Sequence, residues 1–202
     1  HPAIANPRAL YGPGRRNARG TDLSDEHRLR AMTQTLAQAR AQSCFAGPPW
    51  AEPTSVDAAD TTVTNPARRG DVVGVCRPAT PADVDAAFTR AAMAAADWAA
   101  TTPAERGRRL AAASDRIEAD AHAIAALVVR EAGRSLPDAL SEVREAVDFL
   151  RYYAMQLRDG VLDGTVPLGP LVCISPWNFP VAIFAGQVAA ALAAGNPVLV
   201  KP

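Results

Sequence analysis

The sequence has no excess of charge of either sign, since 21 acidic residues balance 21 basic ones. Without a basic excess or a local cluster of basic residues, nothing favours binding to a nucleic acid or to an anionic membrane surface. A long apolar run is missing too. The longest lies within residues 180–194 and includes Gly186 and Gln187, whereas a helix that spans a bilayer needs about 20 apolar residues. We therefore expect no nucleic-acid partner and no integral membrane segment.

Cysteine is scarce, with three residues at Cys44, Cys76 and Cys173. Their spacing matches no metal-binding pattern, and an odd number without a signal peptide fits free thiols in a reducing cytoplasm better than a disulfide scaffold. We expect a cytoplasmic protein without a metal site. Cys173 lies within an apolar segment with no histidine nearby, which favours a small buried hydrophobic residue over a nucleophile.

Both ends of the sequence suggest a piece of a larger protein. It begins at His1 rather than Met and stops at Pro202, directly after a strand-like run that a closed domain would follow with more sheet. Residues 1–20 are rich in Pro, Gly, Arg and Asn, which is typical of a linker. We expect a linker and helical segment over residues 1–50. Residues 47–55 are rich in proline and mark a boundary. We assign residues 51–202 to the second unit and expect its regular structure to begin near Val56.

Helical periodicity and start signals predict four helices. The first runs over residues 24–45 with Ser24 as its N-cap, and residues 61–75, with β-branched runs around an Asn-Pro turn, predict a β-hairpin. The other helices have capped starts. They are predicted over residues 80–98, 102–133 and 135–160.

After Gly164 the pattern changes to strand, helix, strand. Residues 167–175 and 195–201 are apolar runs, and the segment between them is rich in alanine. Strands that are apolar on both faces are typical of a parallel sheet covered by helices, so we predict an α/β fold with a right-handed crossover. Ligands of such sheets bind at the carboxyl ends of the strands. The loop at residues 174–180 is therefore the candidate site.

Two motifs flank the predicted alanine-rich helix: Pro-Trp-Asn-Phe-Pro at residues 176–180 and Gly-Asn-Pro-Val-Leu-Val-Lys-Pro at residues 195–202. Together they resemble the signature of the aldehyde dehydrogenase superfamily. The resemblance implies an incomplete Rossmann-like NAD-binding domain preceded by helices and a β-hairpin. It also implies NAD-dependent oxidation of an aldehyde by a cysteine nucleophile and a general-base Glu. Neither of these lies within the 202 residues, so we expect this polypeptide alone to be inactive.

The same resemblance assigns roles to single residues. Asn178 corresponds to the amide that donates to the aldehyde oxygen, and Lys201 to the residue that binds the adenine ribose. Lys201 is also the only lysine, against twenty arginines. The wall along which NAD lies is implied to consist of Ile174, Ser175, Pro176 and Trp177. Structural alternatives remain open, because Asn178 could be an ordinary turn or helix-capping residue, Lys201 could face solvent, and Trp177 could belong to the core.

Three further segments resemble one particular group of proteins that contain an aldehyde dehydrogenase module. Residues 11–23, 130–135 and 142–154 resemble proline utilization A proteins, in which an FAD-dependent proline dehydrogenase precedes the aldehyde dehydrogenase module. This implies NAD-dependent oxidation of L-glutamate γ-semialdehyde to L-glutamate in a bifunctional homo-oligomeric enzyme, with FAD only in an upstream domain. Two alternatives stay open. One is another aldehyde dehydrogenase, such as a succinate-semialdehyde or broad-range enzyme; the other is a non-catalytic remnant or interaction module.

Glu145 and Phe149 lie four residues apart on the last predicted long helix and so share one face. By resemblance they border the substrate channel next to the catalytic centre. An exposed Glu above a core Phe explains the spacing equally well. Arg144 and Asp148 have the same spacing and predict a surface ion pair.

Overall fold

The computed structural model describes residues 4–51 and 58–202; Val56, where the regular structure of the second unit is predicted to begin, lies outside the described residues. Short 3₁₀ turns at Pro7–Ala9 and Gly12–Gly14 come first. The helices and strands that follow are α1 (Glu26–Ala39), β1 (Cys44–Ala46), β2 (Thr61–Asn65), β3 (Arg68–Cys76), α2 (Pro81–Ala100), α3 (Pro103–Ala119), α4 (Ala121–Ala132), α5 (Leu136–Arg158), β4 (Leu171–Ile174), α6 (Ala182–Ala193) and β5 (Val198–Lys201). The predicted α/β class is confirmed.

The strands form two small sheets. In one, β3 pairs antiparallel with β2 and parallel with β1, in the order β1-β3-β2. In the other, β4 and β5 are parallel and α6 connects them. The predicted hairpin and the predicted strand–helix–strand unit are both confirmed. Among the described residues, no helix is both long enough and apolar enough to cross a membrane.

The predicted bounds of the first helix are wrong at both ends. Its N-cap is Asp25, whose carboxylate accepts from the N–H groups of His27 and Arg28. The Ser24 hydroxyl donates to Asp22 instead. The helix ends at Ala39, because the next residues turn and the backbone of β1 finds partners in β3. A strand of three residues is too short to show an alternating apolar pattern, so the sequence does not predict β1.

The helix predicted over residues 102–133 is two helices, α3 and α4, with a break at Asp120 (φ −93°, ψ 12°). No Gly or Pro marks this break, so the pattern of apolar residues runs through it. The caps at Thr80, Thr102 and Ser135 are confirmed. Thr102 and Glu105 have the spacing of a capping box, which predicts that the Glu105 carboxylate accepts from the Thr102 N–H. That prediction is wrong, because the carboxylate pairs with arginines one turn further along α3.

Helix α5 lies at the centre of the apolar core, because its apolar residues recur at steps of three and four and form one stripe. Leu140 and Val143 near its start pack with Met32 and with alanines of α4. Leu150 and Leu157 near its end pack with Leu110 of α3 and with alanines of α6. One helix therefore joins α1 and α4 on one side to α3 and α6 on the other.

The segment at residues 14–19 lies along α3 and α5. The Ala18 N–H donates to the carboxylate of Asp148 at 2.7 Å, and the Arg19 N–H donates to Glu118 at 2.6 Å. Arg158 donates to the Gly14 carbonyl at 2.7 Å. Because Asp148 binds this segment, the ion pair predicted between Arg144 and Asp148 is not formed in the described part of the chain. The linker-like composition thus belongs to a segment that is docked on the helices.

Arg130 of α4 holds three elements together. Its buried guanidinium donates to the Ala39 and Gln42 carbonyls at the end of α1, at 2.6 and 2.7 Å, and to the carboxylate of Asp71 in β3 at 2.8 Å. Asn65 donates to the other Asp71 oxygen at 3.0 Å. Hydrogen bonds from Arg130 and then from Asn65 lower the pKa of Asp71 from 3.8 to about 2.

The depressed pKa of Asp71 predicts an acid-sensitive contribution to stability. A carboxylate with a lowered folded-state pKa stabilises the fold above its unfolded pKa, near 3.8, and loses this contribution as the pH falls through about 2. Asp71→Asn should therefore lower the free energy of unfolding near neutral pH. The difference from wild type should shrink between about pH 4 and pH 2. Urea denaturation followed by circular dichroism measures this.

Asp97→Asn is the matched control, because Asp97 is exposed on α2 and its carboxylate has no ion pair among the described residues. A difference between wild type and Asp71→Asn that stays constant with pH would contradict the assignment.

Candidate active site at the ends of the parallel strands

The parallel strands β4 and β5 end side by side. Ile174 is paired with Lys201 in the register, and the Ser175 N–H donates to the Lys201 carbonyl at 3.1 Å. The loop at residues 175–181 leaves this edge and leads into α6. The structure thus brings the two predicted motifs together at the carboxyl ends of two adjacent strands.

Three of the four residues predicted to line the cofactor are open to solvent. Trp177 is 81% exposed and Ile174 is 61% exposed, and Pro176 is also exposed. Ser175 differs, because its hydroxyl is buried and has no hydrogen-bond partner in the part of the chain that is described. A contact from Ser175 to a molecule on this surface would come from its backbone. Trp177 is not a core residue here.

Asn178 lies in the turn of this loop. The Phe179 N–H donates to the Pro176 carbonyl at 3.2 Å and closes the turn around it. Asn178 is half-buried, and its side-chain amide makes no hydrogen bond to any described residue. It does not cap α6, because the N-cap of that helix is Val181. The helix-capping alternative for Asn178 is therefore wrong, whereas its position matches the alternative of an ordinary turn residue. Its amide has no partner among the described residues and is available as a donor.

Lys201 is exposed at the end of β5. Its ammonium group donates to the carbonyl of Pro202 at 3.1 Å, and no carboxylate among the described residues pairs with it. A flexible, unpaired cation beside an apolar exposed edge can bind hydroxyl or phosphate oxygens.

Glu145 and Phe149 have different surroundings on α5. Glu145 is exposed, whereas Phe149 is half-buried. A Cβ at Gly186 of α6 would lie 3.0 Å from the Phe149 ring, so the ring packs directly on this glycine. Phe149 thus sets the distance between α5 and α6. Neither residue touches Asn178 through a hydrogen bond, and their place in a substrate channel stays a prediction.

Sequence reasoning missed Glu142, which is only 2% exposed on α5. Its carboxylate accepts from the N–H groups of Val181 and Ala182, at 3.2 and 3.0 Å, at the start of α6. Arg134 pairs with the same carboxylate at 3.7 Å. No local signal singles out Glu142, because Arg144 also lies directly beside Val143 and is exposed.

Asn196 was also missed. Its buried amide oxygen accepts from the N–H groups of Leu168 and Gly169, at 2.7 and 3.0 Å. It therefore fixes the segment that enters β4 against the turn that enters β5. Gly195 has φ +83°, where a side chain is strained, and a Cβ there would lie 2.8 Å from Pro167. This Gly-Asn pair is structural.

Cys173 lies buried within β4, and burial raises the pKa of its thiol. A raised pKa leaves less thiolate at neutral pH, and the thiolate is the nucleophile. Cys173 therefore has no features of a catalytic cysteine. Within residues 4–51 and 58–202, no group of three or more His, Cys, Asp and Glu side chains could hold a metal ion.

These features predict the order in which the thiols react. Cys44 and Cys76 are partly exposed, so iodoacetamide at neutral pH should modify both well before Cys173. Mass spectrometry of the digested protein over time measures the order, and labelling in denaturant is the control for intrinsic reactivity. Early modification of Cys173 in the folded chain would show that its thiol is accessible and would contradict this assignment.

Known proteins resemble the chain in sequence and in structure. Residues 50–202 match the model of the aldehyde dehydrogenase family. The chain is 49% identical over its whole length to the bifunctional protein PutA of Escherichia coli (strain K12), and it covers 15% of that protein. It therefore spans only a small part of this relative.

Two solved structures show the same fold. Proline utilization A from Bdellovibrio bacteriovorus superposes with a TM-score of 0.86 at 27% identity, covering 100% of this chain and 22% of that one. A 1-pyrroline-5-carboxylate dehydrogenase from Thermus with bound NAD gives a TM-score of 0.80 at 30% identity, covering 93% of this chain and 39% of that one. The arrangement of elements described above thus recurs in these dehydrogenases.

Proposed function

Because the chain belongs to the aldehyde dehydrogenase family, we propose that it forms part of the NAD-binding domain of an L-glutamate γ-semialdehyde dehydrogenase. The observation that carries this proposal is the loop at the strand ends, which begins beside exposed Lys201 and carries exposed Trp177 and the unpartnered amide of Asn178. The substrate class rests on the 49% identity to a PutA protein across the whole chain.

The exposed edge of the β4–β5 sheet fits a dinucleotide. Ile174, Pro176 and Trp177 offer an apolar surface, and the unpaired ammonium of Lys201 lies at the end of the adjacent strand. We assign the nicotinamide dinucleotide to this surface, with Lys201 binding ribose hydroxyls and Ser175 contributing its backbone. When bound, NAD accepts a hydride from the substrate.

Asn178 has a different role, because an amide N–H can donate to the aldehyde oxygen as negative charge develops on it. A donor that is already in place costs no reorganisation during the reaction. The half-buried position of Asn178 also limits competition from water.

Glu145 and Phe149 are proposed to border the path of the substrate along α5.

The family model begins at residue 50, which supports the proposed division of the chain. We assign residues 1–50 to a connecting segment and a first helix, and residues 51–202 to the NAD-binding domain. Hydrogen bonds from Ala18 and Arg19 to α5 and α3 fix this connection against the domain. We further propose a cytoplasmic homo-oligomer, with FAD confined to an upstream proline dehydrogenase domain. Free thiols at all three cysteines support the compartment.

The substrate assignment predicts a preference that can be measured. The gene product that carries this chain should form NADH from L-glutamate γ-semialdehyde with a kcat/KM at least about tenfold higher than from succinate semialdehyde, equivalent to ~1.4 kcal/mol. Absorbance at 340 nm measures the rate. The 202-residue chain alone should give no NADH, because it has no activated cysteine. A preference for succinate semialdehyde would support another aldehyde dehydrogenase, and turnover by the isolated chain would show that the nucleophile is misplaced.

Asn178→Ala tests the proposed donor in the same gene product. Loss of one donor to a developing oxyanion lowers kcat by about 10²–10³-fold, while the Kd for NAD should stay unchanged because the apolar edge is intact. Steady-state kinetics and fluorescence titration with NAD measure the two quantities. The matched control is Asn6→Ala, at an exposed position in the N-terminal segment. An unchanged kcat in Asn178→Ala would remove Asn178 from the reaction.

A further inference from the structure

The start of α6 has no cap of its own. Its N-cap residue is Val181, which has no side chain that can accept a hydrogen bond. The first N–H groups of a helix need acceptors from elsewhere. Glu142 supplies one from a different helix, at 3.2 Å from the Val181 nitrogen and 3.0 Å from the Ala182 nitrogen. A carboxylate also suits the positive end of the helix dipole.

These two N–H groups lie only three and four residues after Asn178. At the other end of the loop, the Ser175 N–H is bound to the Lys201 carbonyl. The Asn178 amide makes no hydrogen bond to the described residues, so nothing holds it directly. Its position follows from the backbone on both sides, and Glu142 fixes the side that enters α6.

Arg134 links this carboxylate to the residue next to Asn178. Its guanidinium pairs with Glu142 at 3.7 Å, and it also lies over the ring of Phe179, 4.9 Å from the centroid. Phe179 follows Asn178 directly in the loop. Arg134 therefore contacts both the carboxylate that caps α6 and the aromatic ring that the loop presents.

A buried glutamate beside an apolar stripe does not by itself raise the free energy of unfolding. Removing a carboxylate from water costs several kcal/mol, and apolar replacements of buried ion pairs are often neutral or stabilising. A capped helix start could equally be made by a local Ser or Asp, as at Ser135 in α5. What Glu142 adds is a rigid connection between α5 and the loop that carries Asn178.

We propose that Glu142 is a positioning residue for the Asn178 amide, acting through the Val181 and Ala182 N–H groups and held by Arg134. This inference rests on the proposed function, in which Asn178 donates to the aldehyde oxygen. A displacement of about 1 Å in a reacting group can cost on the order of 100-fold in rate. Glu142 therefore controls kcat without touching the substrate.

The test uses Glu142→Gln in the gene product that carries this chain, because glutamine keeps the shape and one acceptor oxygen but loses the charge. The expected result is a kcat lower by about 10- to 100-fold, with the KM and Kd for NAD nearly unchanged. Glu131→Gln is the control, since Glu131 is an exposed glutamate of α4. A kcat within twofold of wild type, from a folded variant, would overturn the proposal.

A double-mutant cycle with Asn178→Ala separates positioning from a general structural effect. If Glu142 acts through Asn178, Glu142→Gln should have little further effect on kcat once Asn178 is alanine. If the two effects multiply, Glu142 acts elsewhere and the proposal fails. If Asn178→Ala leaves kcat unchanged, the proposed role of Asn178 fails instead. The two ideas are thus distinguished.

If Glu142→Gln does not fold, Arg134→Gln tests the positioning role instead, because it leaves the Glu142 cap of α6 in place. It should lower kcat relative to wild type, and this effect should disappear in the Asn178→Ala background. Thermal melting by circular dichroism checks that each variant is folded. An Arg134→Gln effect that persists in full beside Asn178→Ala would overturn the positioning role.

Discussion

Burial of α5 along its length is the constraint on which the other elements depend. Its apolar stripe packs against α4 near its start and against α3 and α6 near its end. A buried Leu or Val contributes about 1.5–3 kcal/mol, so the several such side chains on α5 contribute a large share of the stability of the core. Because α6 rests on α5 through Phe149 and Gly186, the same packing decides where the loop before α6 lies.

Buried charges then join elements that apolar packing alone would leave free to slide. Arg130 connects α4 to the end of α1 and to β3. Arg151 of α5 pairs with Asp115 and Glu118 of α3, both at 2.9 Å. Arg106 of α3 donates to the Ala193 carbonyl at the end of α6 at 2.9 Å. Removing one partner would leave a buried guanidinium without its hydrogen bonds, which makes the geometry specific.

The candidate site combines exposed side chains with a buried support. Trp177 and Lys201 are open to solvent at the strand ends, where a dinucleotide could reach them. Glu142 and Asn196 lie behind them, and each fixes backbone N–H groups of the segments that enter α6 and β4. A rigid support below an open surface is the arrangement that a preorganised donor needs, because the donor must be in place before charge develops.

The local features of this protein could be predicted from its sequence. The caps at Thr80, Thr102 and Ser135, the hairpin, the helical periodicity of α5 and the motifs around β4 and β5 depend on neighbouring residues. These features can therefore be recognised from residues that lie only a few positions apart in the sequence. The candidate site could be located for the same reason, because its two motifs lie at the ends of predicted parallel strands.

Only the tertiary structure decided the pairing of β1 with β3, the break at Asp120 and the role of Glu142. Glu142 is separated from Val181 and Ala182 by 39 and 40 residues, and Arg130 from Asp71 by 59. Such contacts follow from how the helices pack, and no local spacing encodes which carboxylate reaches which N–H group. The sequence by itself therefore determined most of the elements and the position of the candidate site, while long-range packing determined which side chains hold that loop in position.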